Sequence, residues 1–117
     1  MAHTKKARIF GRPRGQRQAL LRSLARSLLM HERIGTTEEK AKELRPFIER
    51  LVTYAKKNTL ASRRLAERRI HDRAAVKKLF AVIGPRYAER HGGYTRVVKR
   101  AKRGFTDARK LAYIAFV

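Results

Sequence analysis

The 117-residue sequence contains no cysteine and no tryptophan, and only 9 of its residues are acidic. Without cysteine there is no disulfide framework, no thiol chemistry and no cysteine-based zinc site. No apolar run approaches the roughly 20 residues that a membrane-spanning helix needs, and no apolar stretch near the N-terminus resembles a signal peptide. These absences fit a reducing compartment, and they predict a chain that has no membrane partner.

Positive charge dominates the residues that are present. There are 31 Lys and Arg residues, the net charge is +22, and the pI is near 11.7. A charge this large destabilises an isolated compact chain through self-repulsion, so we expect a polyanion to supply the counter-charge. Nucleic acid is the obvious polyanion, because each neutralised phosphate releases condensed counterions. The basic residues are mostly arginine, whose planar guanidinium binds phosphate through two hydrogen bonds and stacks on bases.

Composition predicts one domain preceded by a basic arm. Leu, Ile, Val and Phe together make up 28 of the 117 residues, which is above the range of disordered chains and predicts a small core. Residues 1–15 contain five basic residues and no acidic residue. This pattern predicts an arm that is disordered when free and orders on a partner. Residues 16–117 are expected to form a single domain.

Apolar periodicity predicts two helices in the first half of the domain. Residues 16–32 carry leucines spaced four apart, which form one apolar stripe. Thr36 and Glu39 have capping-box spacing and are expected to begin the second helix, which Pro46 should kink or split. Four of the nine acidic residues fall in this second helix, so we expect it to face core and solvent more than nucleic acid.

Capping residues predict two more helices. Asn58 or Thr59 can cap a third helix over roughly 60–71, and Asp72 is a suitable N-cap for a fourth. The Gly-Pro pair at 84–85 is expected to stop the fourth helix. The core residues expected from this helix are Val76, Leu79, Phe80 and Ile83.

The last third of the sequence has the composition of β-strands. Residues 94–100 and 111–117 are rich in β-branched and aromatic residues, and a basic loop over 102–110 separates them. They predict an antiparallel hairpin, to which a short segment near Ile34 could add a third strand. Because a hairpin alone is only marginally stable, helices must cover one of its faces. The predicted fold is therefore α+β: a small mixed or antiparallel sheet packed with about four helices.

Basic side chains recur along this framework. Four arginines of the third helix form two adjacent pairs on one helical surface. They repel each other unless an anion lies among them, so contact with RNA backbone is favoured over a solvated face. The arginines of the first helix face either RNA or water. The candidate RNA-binding residues are His3, Lys5, Lys6, Arg8, Arg12, Arg14, Arg17, Arg22, Arg26, Arg63, Arg64, Arg68, Arg69, Tyr94, Arg96, Lys99, Arg100, Lys102 and Arg103.

Tyr94 is the aromatic candidate in this set. Gly92 and Gly93 before it permit a turn with left-handed backbone angles. Strand alternation would place Arg96 and Arg100 on the same face as the Tyr94 ring. We therefore expect the ring to stack on a base, and the alternative is that Tyr94 is a core residue of the first hairpin strand.

The sequence offers no catalytic constellation. Its four histidines lie in four different segments, and none pairs with another at metal-ligand spacing. Asp72 beside His71 is better explained as a helix cap, and the remaining acidic residues are too few for a metal cage. The serines lack a nucleophile-elbow context. We expect no enzyme, no catalytic residue, no metal, no cofactor and no small-molecule substrate.

Two motifs carry a family resemblance. The stretch T-T-x-x-K-A-K-E-L-R-P-F from Thr36 and the stretch from Gly84 to Arg96, which contains G-P-R-Y-A-E-R and G-G-Y-T-R, resemble the bacterial large-subunit ribosomal protein L17 family. His3, Arg8 and Arg17 are the positions that could match the family's arm, whose usual Asn and Ser residues are absent here.

The resemblance implies an α+β fold and a structural role in the large ribosomal subunit. It implies direct binding to large-subunit rRNA of the 23S type near the peptide exit tunnel, with other large-subunit ribosomal proteins as neighbours. The expected location is the cytoplasmic ribosome, with an organellar ribosome as the alternative.

Two other functions compete with this one. A DNA-binding or nucleoid protein could also present short helices with basic faces, but a recognition helix needs residues such as Asn and Gln for base edges. A membrane-active helical protein is the other alternative, although the amphipathic helix over 16–32 has no Trp or Phe anchor.

Overall fold

The computed structural model describes residues 14–103 and 110–117, so most of the predicted arm lies outside the described residues. Helices and a three-stranded sheet together form the predicted α+β fold. The elements are α1 (Arg14–His31), β1 (Arg33–Thr37), α2 (Glu38–Lys57), α3 (Leu60–Ile70), α4 (Arg73–Lys78), a π-helical turn (Leu79–Ile83), α5 (Gly84–Arg86), β2 (Thr95–Arg103) and β3 (Lys110–Phe116).

Helix α2 is the central helix of the fold. Thr37 is its N-cap and accepts a hydrogen bond from the Lys40 amide, so the predicted cap at Thr36 is wrong by one residue. Thr36 belongs to β1 instead. The buried face of α2 comprises Ala41, Leu44, Ile48, Leu51, Val52 and Ala55.

Pro46 lies inside one continuous helix, so the predicted split of α2 is wrong. Proline removes the hydrogen bond to the carbonyl four residues earlier. Pro46 and Lys42, which carries that carbonyl, are both exposed, so water can solvate the free carbonyl. Core packing on the opposite face keeps the helix whole.

The caps of the next two helices confirm Thr59, one of the two predicted candidates for the third helix, and Asp72 for the fourth. Thr59 and Ser62 form a reciprocal capping box at the start of α3, with hydrogen bonds of 3.0 and 2.9 Å. The Asp72 carboxylate accepts from the Ala75 amide at 3.2 Å and begins α4. Local hydrogen bonding by short polar side chains is sufficient to set both boundaries.

The Gly-Pro pair does not stop the fourth helix, and that prediction is wrong. The chain continues from α4 through the π-helical turn into α5, with Pro85 near the start of α5. Gly84 serves close packing instead: a Cβ added there would lie 3.0 Å from the Ala55 Cβ and 3.0 Å from the Ala55 carbonyl oxygen.

The sheet is antiparallel with strand order β1-β3-β2, so the expected third strand near Ile34 is confirmed. Ile34 pairs with Ile114, and Ile114 pairs with Val97 across the other ladder. Ala112 and Ile114 are buried, with Ile34 and Val97 packed against the core. One face of the sheet therefore completes the core under the helices, and the opposite face carries the alternate residues.

Candidate nucleic-acid interface

Helices α1 and α3 bring four of the predicted RNA-binding arginines to one groove. The groove encloses about 400 Å³. Its lining residues are Arg17, Gln18, Leu21, Arg22, Phe47, Arg68 and Arg69. We call it the arginine groove.

The arginine groove is fixed by hydrogen bonds from α1 to the carboxyl end of α3. The Arg22 Nε donates to the Arg69 carbonyl at 3.3 Å, and the Arg26 Nε donates to the Ile70 carbonyl at 2.8 Å. The Arg26 Nη2 also donates to the His71 carbonyl at 3.1 Å. Cations suit this end of a helix, where the last carbonyls lack intrahelical partners. A guanidinium has five N–H donors, so Arg22 keeps donors for a ligand.

Arg17 is largely enclosed in the arginine groove, with a side chain 17% exposed. Its Nη2 lies 3.4 Å from the Glu43 carboxylate. Its Nε is buried and has no hydrogen-bond partner among the described residues.

The arginines of α3 do not share one surface as predicted. The Arg63 guanidinium lies over the Phe80 ring, 4.5 Å from its centroid, where it packs against the π-helical turn. Arg64, Arg68 and Arg69 are exposed. Adjacent helical residues point about 100° apart, so Arg63 turns away while Arg68 and Arg69 line the groove.

The prediction that the Tyr94 ring faces RNA is wrong. Tyr94 is 4% exposed, its ring lies 5.4 Å from that of Tyr87, and its hydroxyl accepts a 2.9 Å hydrogen bond from the Lys56 Nζ. This hydrogen bond lowers the pKa of Tyr94. The physical reason is that β2 begins at Thr95, so strand alternation does not extend back to Tyr94. The preceding turn is confirmed, with φ of 95° and 63° at Gly92 and Gly93.

The predicted residues of β2 lie on both faces of the sheet. Arg96 is exposed and Arg100 is half-buried, both on the face away from the helices. Lys99 pairs with Ala112 on the other face. The pKa of Glu38 is lowered first by its hydrogen bond from Lys42, and the charge of Lys99 lowers it further.

Sequence reasoning missed two residues beside Arg100. The Tyr113 ring of β3 has the Arg33 guanidinium carbon 4.2 Å from its centroid and that of Arg100 at 4.8 Å. Only the pairing of β1 with β3 brings Arg33 near Tyr113. No local pattern in the sequence predicts that pairing.

The other predicted residues are at the ends of the described segments. Arg14 is exposed at the first residue of α1. Lys102 and Arg103 belong to β2, but their side chains lie outside what the structure describes. Five candidates lie outside the described residues altogether: His3, Lys5, Lys6, Arg8 and Arg12.

Within residues 14–103 and 110–117, no helix is long and apolar enough to cross a membrane. The same residues contain no group of three or more His, Asp or Glu side chains that could hold a metal ion.

Comparison with known proteins gives the family. The family model described as ribosomal protein L17 matches residues 20–117. The chain is 51% identical to the large ribosomal subunit protein bL17 of Hydrogenobaculum sp., over all of this chain and 99% of that protein. It is 48% identical to the bL17 protein of Fusobacterium nucleatum, with both chains covered completely. The chain belongs to the ribosomal protein L17 family, as its motifs predicted.

Proposed function

We propose that this chain is a structural constituent of the large ribosomal subunit that binds large-subunit rRNA and has no catalytic activity. Its relatives carry the name large ribosomal subunit protein. The observation that carries the proposal is the arginine groove, where α1 and α3 bring guanidiniums together around a concave surface.

The groove is suited to a phosphate backbone. Like charges held in one groove repel each other, and an RNA phosphate relieves that repulsion while releasing counterions. The hydrogen bonds from Arg22 and Arg26 to the end of α3 lie within the protein and fix the shape of the groove. Leu21 and Phe47 give it an apolar floor against which sugars and bases can pack.

RNA is favoured over duplex DNA by the residue types on α3. A helix that reads bases in the major groove uses Asn, Gln and similar side chains on its exposed face. The exposed polar positions of α3 are mainly arginine, which contacts phosphates and, among the bases, chiefly guanine. The DNA-binding alternative is therefore not favoured.

The proposal includes the parts of the chain beyond the groove. Residues 1–15 act as a basic RNA-binding arm and 16–117 as the folded domain. The arm candidates, the exposed cations of α1 and α3, and the basic residues of β2 contact rRNA near the peptide exit tunnel. Neighbouring large-subunit proteins are the other partners, and the cytoplasmic ribosome is the location.

Binding competition tests the proposal. The full chain is titrated with a folded fragment of large-subunit rRNA, with duplex DNA of equal length and with anionic vesicles, at several salt concentrations. We expect preference for the rRNA fragment and a linear fall of log affinity with log salt, with a slope of about −0.7 to −0.9 per phosphate contacted and roughly six or more contacts. Equal affinity for duplex DNA, or a nearly flat salt response, would contradict the proposal.

A matched pair of variants tests the groove itself. Arg68→Ala/Arg69→Ala removes two groove cations, and Arg50→Ala/Lys57→Ala removes two exposed cations of α2 that lie outside the groove. We expect the groove variant to weaken rRNA binding about tenfold more than the control and to reduce the salt slope by about 1.5. Equal effects of the two variants would remove the groove from the binding surface.

A further inference from the structure

The outer face of the sheet is a second basic surface, built from elements other than those of the arginine groove. Strand alternation and the pairing register give its rows, of which the central one is Gly35, Tyr113 and Val98. No carboxylate occurs among the residues assigned to this face. They are Arg33, Gly35 and Thr37 on β1, Leu111, Tyr113 and Ala115 on β3, and Arg96, Val98 and Arg100 on β2.

The Tyr113 ring contacts two of the three arginines. The Arg33 and Arg100 guanidinium carbons lie 4.2 and 4.8 Å from the centroid of its ring. The cluster lies over Gly35: a Cβ placed there would be at ordinary van der Waals distance, 3.6 Å, from both the Tyr113 ring and the Arg100 Nη1.

Arg33, Tyr113 and Arg100 form what we call the Tyr113 cluster, which holds two cations in place without neutralising their charge. A guanidinium contacts an aromatic ring through charge and stacking, so its in-plane N–H donors remain available. Among the described residues, no hydrogen bond or ion pair uses the guanidinium of Arg33, Arg96 or Arg100. The Arg33 and Arg100 guanidinium carbons are at most 9.0 Å apart, because both lie over one ring. That separation is within about one Debye length at physiological salt, so the two charges repel.

We propose that the outer face of the sheet binds an unpaired segment of rRNA, with Arg33, Arg96 and Arg100 on its phosphates and the Tyr113 cluster as a stacking platform for a base. Basic sheets that present aromatic rings and guanidinium planes suit single-stranded RNA, because every base has a π-face to stack. A protein partner fits less well, because the apolar side chains of the face are few and three cations would be desolvated.

The inference rests on the proposed function and assigns it a second contact surface, which includes two residues absent from the sequence predictions. Binding of the full chain to large-subunit rRNA provides the test. Three variants are compared: Arg33→Ala/Arg100→Ala, Tyr113→Leu and Tyr113→Phe. Arg50→Ala/Lys57→Ala on α2 is the charge-matched control, and thermal unfolding of each variant gives a temperature at which all remain folded.

We expect the double arginine variant to lose about tenfold more affinity than the control, with a salt slope reduced by about 1.5. Tyr113→Leu should lose about tenfold in affinity, whereas Tyr113→Phe, which keeps the ring, should bind like the unchanged chain. Ultraviolet crosslinking of the complex should attach a nucleotide at Tyr113. Affinities of the sheet variants equal to the control, with no crosslink at Tyr113, would overturn the inference.

Failure of this inference is distinguishable from failure of the proposed function. If the unchanged chain prefers the rRNA fragment but the sheet variants behave like the control, only the sheet proposal fails. If those variants bind free rRNA normally yet no longer join large subunits, the face contacts a protein, and the RNA proposal is again overturned. If the unchanged chain shows no preference for rRNA, the proposed function itself fails.

Discussion

The Arg26 guanidinium on α1 donates hydrogen bonds of 2.8 and 3.1 Å to the carbonyls of Ile70 and His71, where α3 ends. Helix α3 has only 11 residues and ends at Ile70, and its C-cap His71 has a φ of 56°. A cation at this end stabilises the free carbonyls and the helix dipole. Arg26 thus has a structural task in addition to its predicted contact with RNA.

We expect Arg26→Ala to lower the free energy of unfolding by about 1–3 kcal/mol, because two carbonyls lose a charged donor. Chemical denaturation monitored by circular dichroism measures it. Arg64→Ala, at an exposed position of α3, is the control and should change stability by less than about 0.5 kcal/mol. Equal stability of the two variants would show that the hydrogen bonds of Arg26 contribute nothing.

The ion pairs of Glu32 predict that the stability of the fold depends on pH. Hydrogen bonds of 2.7 and 3.0 Å from Arg86, helped by Lys78, lower the pKa of its carboxyl from 4.5 to about 2. A carboxyl with a depressed folded-state pKa stabilises the fold above its unfolded value. We expect that contribution to be complete above about pH 4.5 and to be lost as the pH falls toward 2.

Glu32→Gln tests this expectation. The pair is partly exposed to solvent, so after screening we expect the variant to be less stable at neutral pH by only about 1 kcal/mol. The difference from the unchanged chain should vanish near pH 2. A stability difference that is the same at both pH values would rule out ionisation of Glu32 as its cause.

Tyr94 is expected to behave as a core residue. Tyr94→Ala should lower stability by about 3–5 kcal/mol, as for other large aromatic truncations. Tyr94→Phe keeps the ring and loses the hydrogen bond from Lys56, so it should cost about 1 kcal/mol. Both variants should bind rRNA normally wherever they are folded. Weaker rRNA binding by a fully folded Tyr94→Phe would contradict the burial of this residue.

Gly84 is expected to be intolerant of a side chain. Alanine usually stabilises a helix relative to glycine by about 1 kcal/mol, but a Cβ here meets the Ala55 backbone at 3.0 Å, and backbone cannot move aside cheaply. Gly84→Ala should therefore destabilise the chain by about 1–3 kcal/mol. Gly15→Ala, with nothing within 4 Å of its Cβ, should be neutral or stabilising. Thermal unfolding compares the two, and a stabilised Gly84→Ala would disprove the close contact.

Local chemistry explains which features could be read from the sequence. The caps at Thr59 and Asp72 depend on side chains within three residues, and both were predicted correctly. The close packing of Gly84 involves the Ala55 backbone of another helix, and the sequence carries no local sign of that packing.

In the candidate interface, too, local features could be predicted from the sequence and features that depend on tertiary packing could not. Repeated arginines marked α1 and α3 as basic, but only the fold shows that Arg22 and Arg26 hold the end of α3. The Tyr113 cluster requires the pairing of β1 with β3. The error at Tyr94 came from extending strand alternation one residue before β2 begins.

Sedimentation of the full chain with ribosomal particles tests the central claim most directly. A tagged copy expressed in a bacterium that lacks its own family member is followed through a sucrose gradient under conditions that separate the subunits. The account predicts that the chain sediments with the large subunit in stoichiometric amount and is released by high salt along with other RNA-bound basic proteins. Recovery of the chain in the light fractions, or with DNA, while large subunits sediment without it would contradict the account.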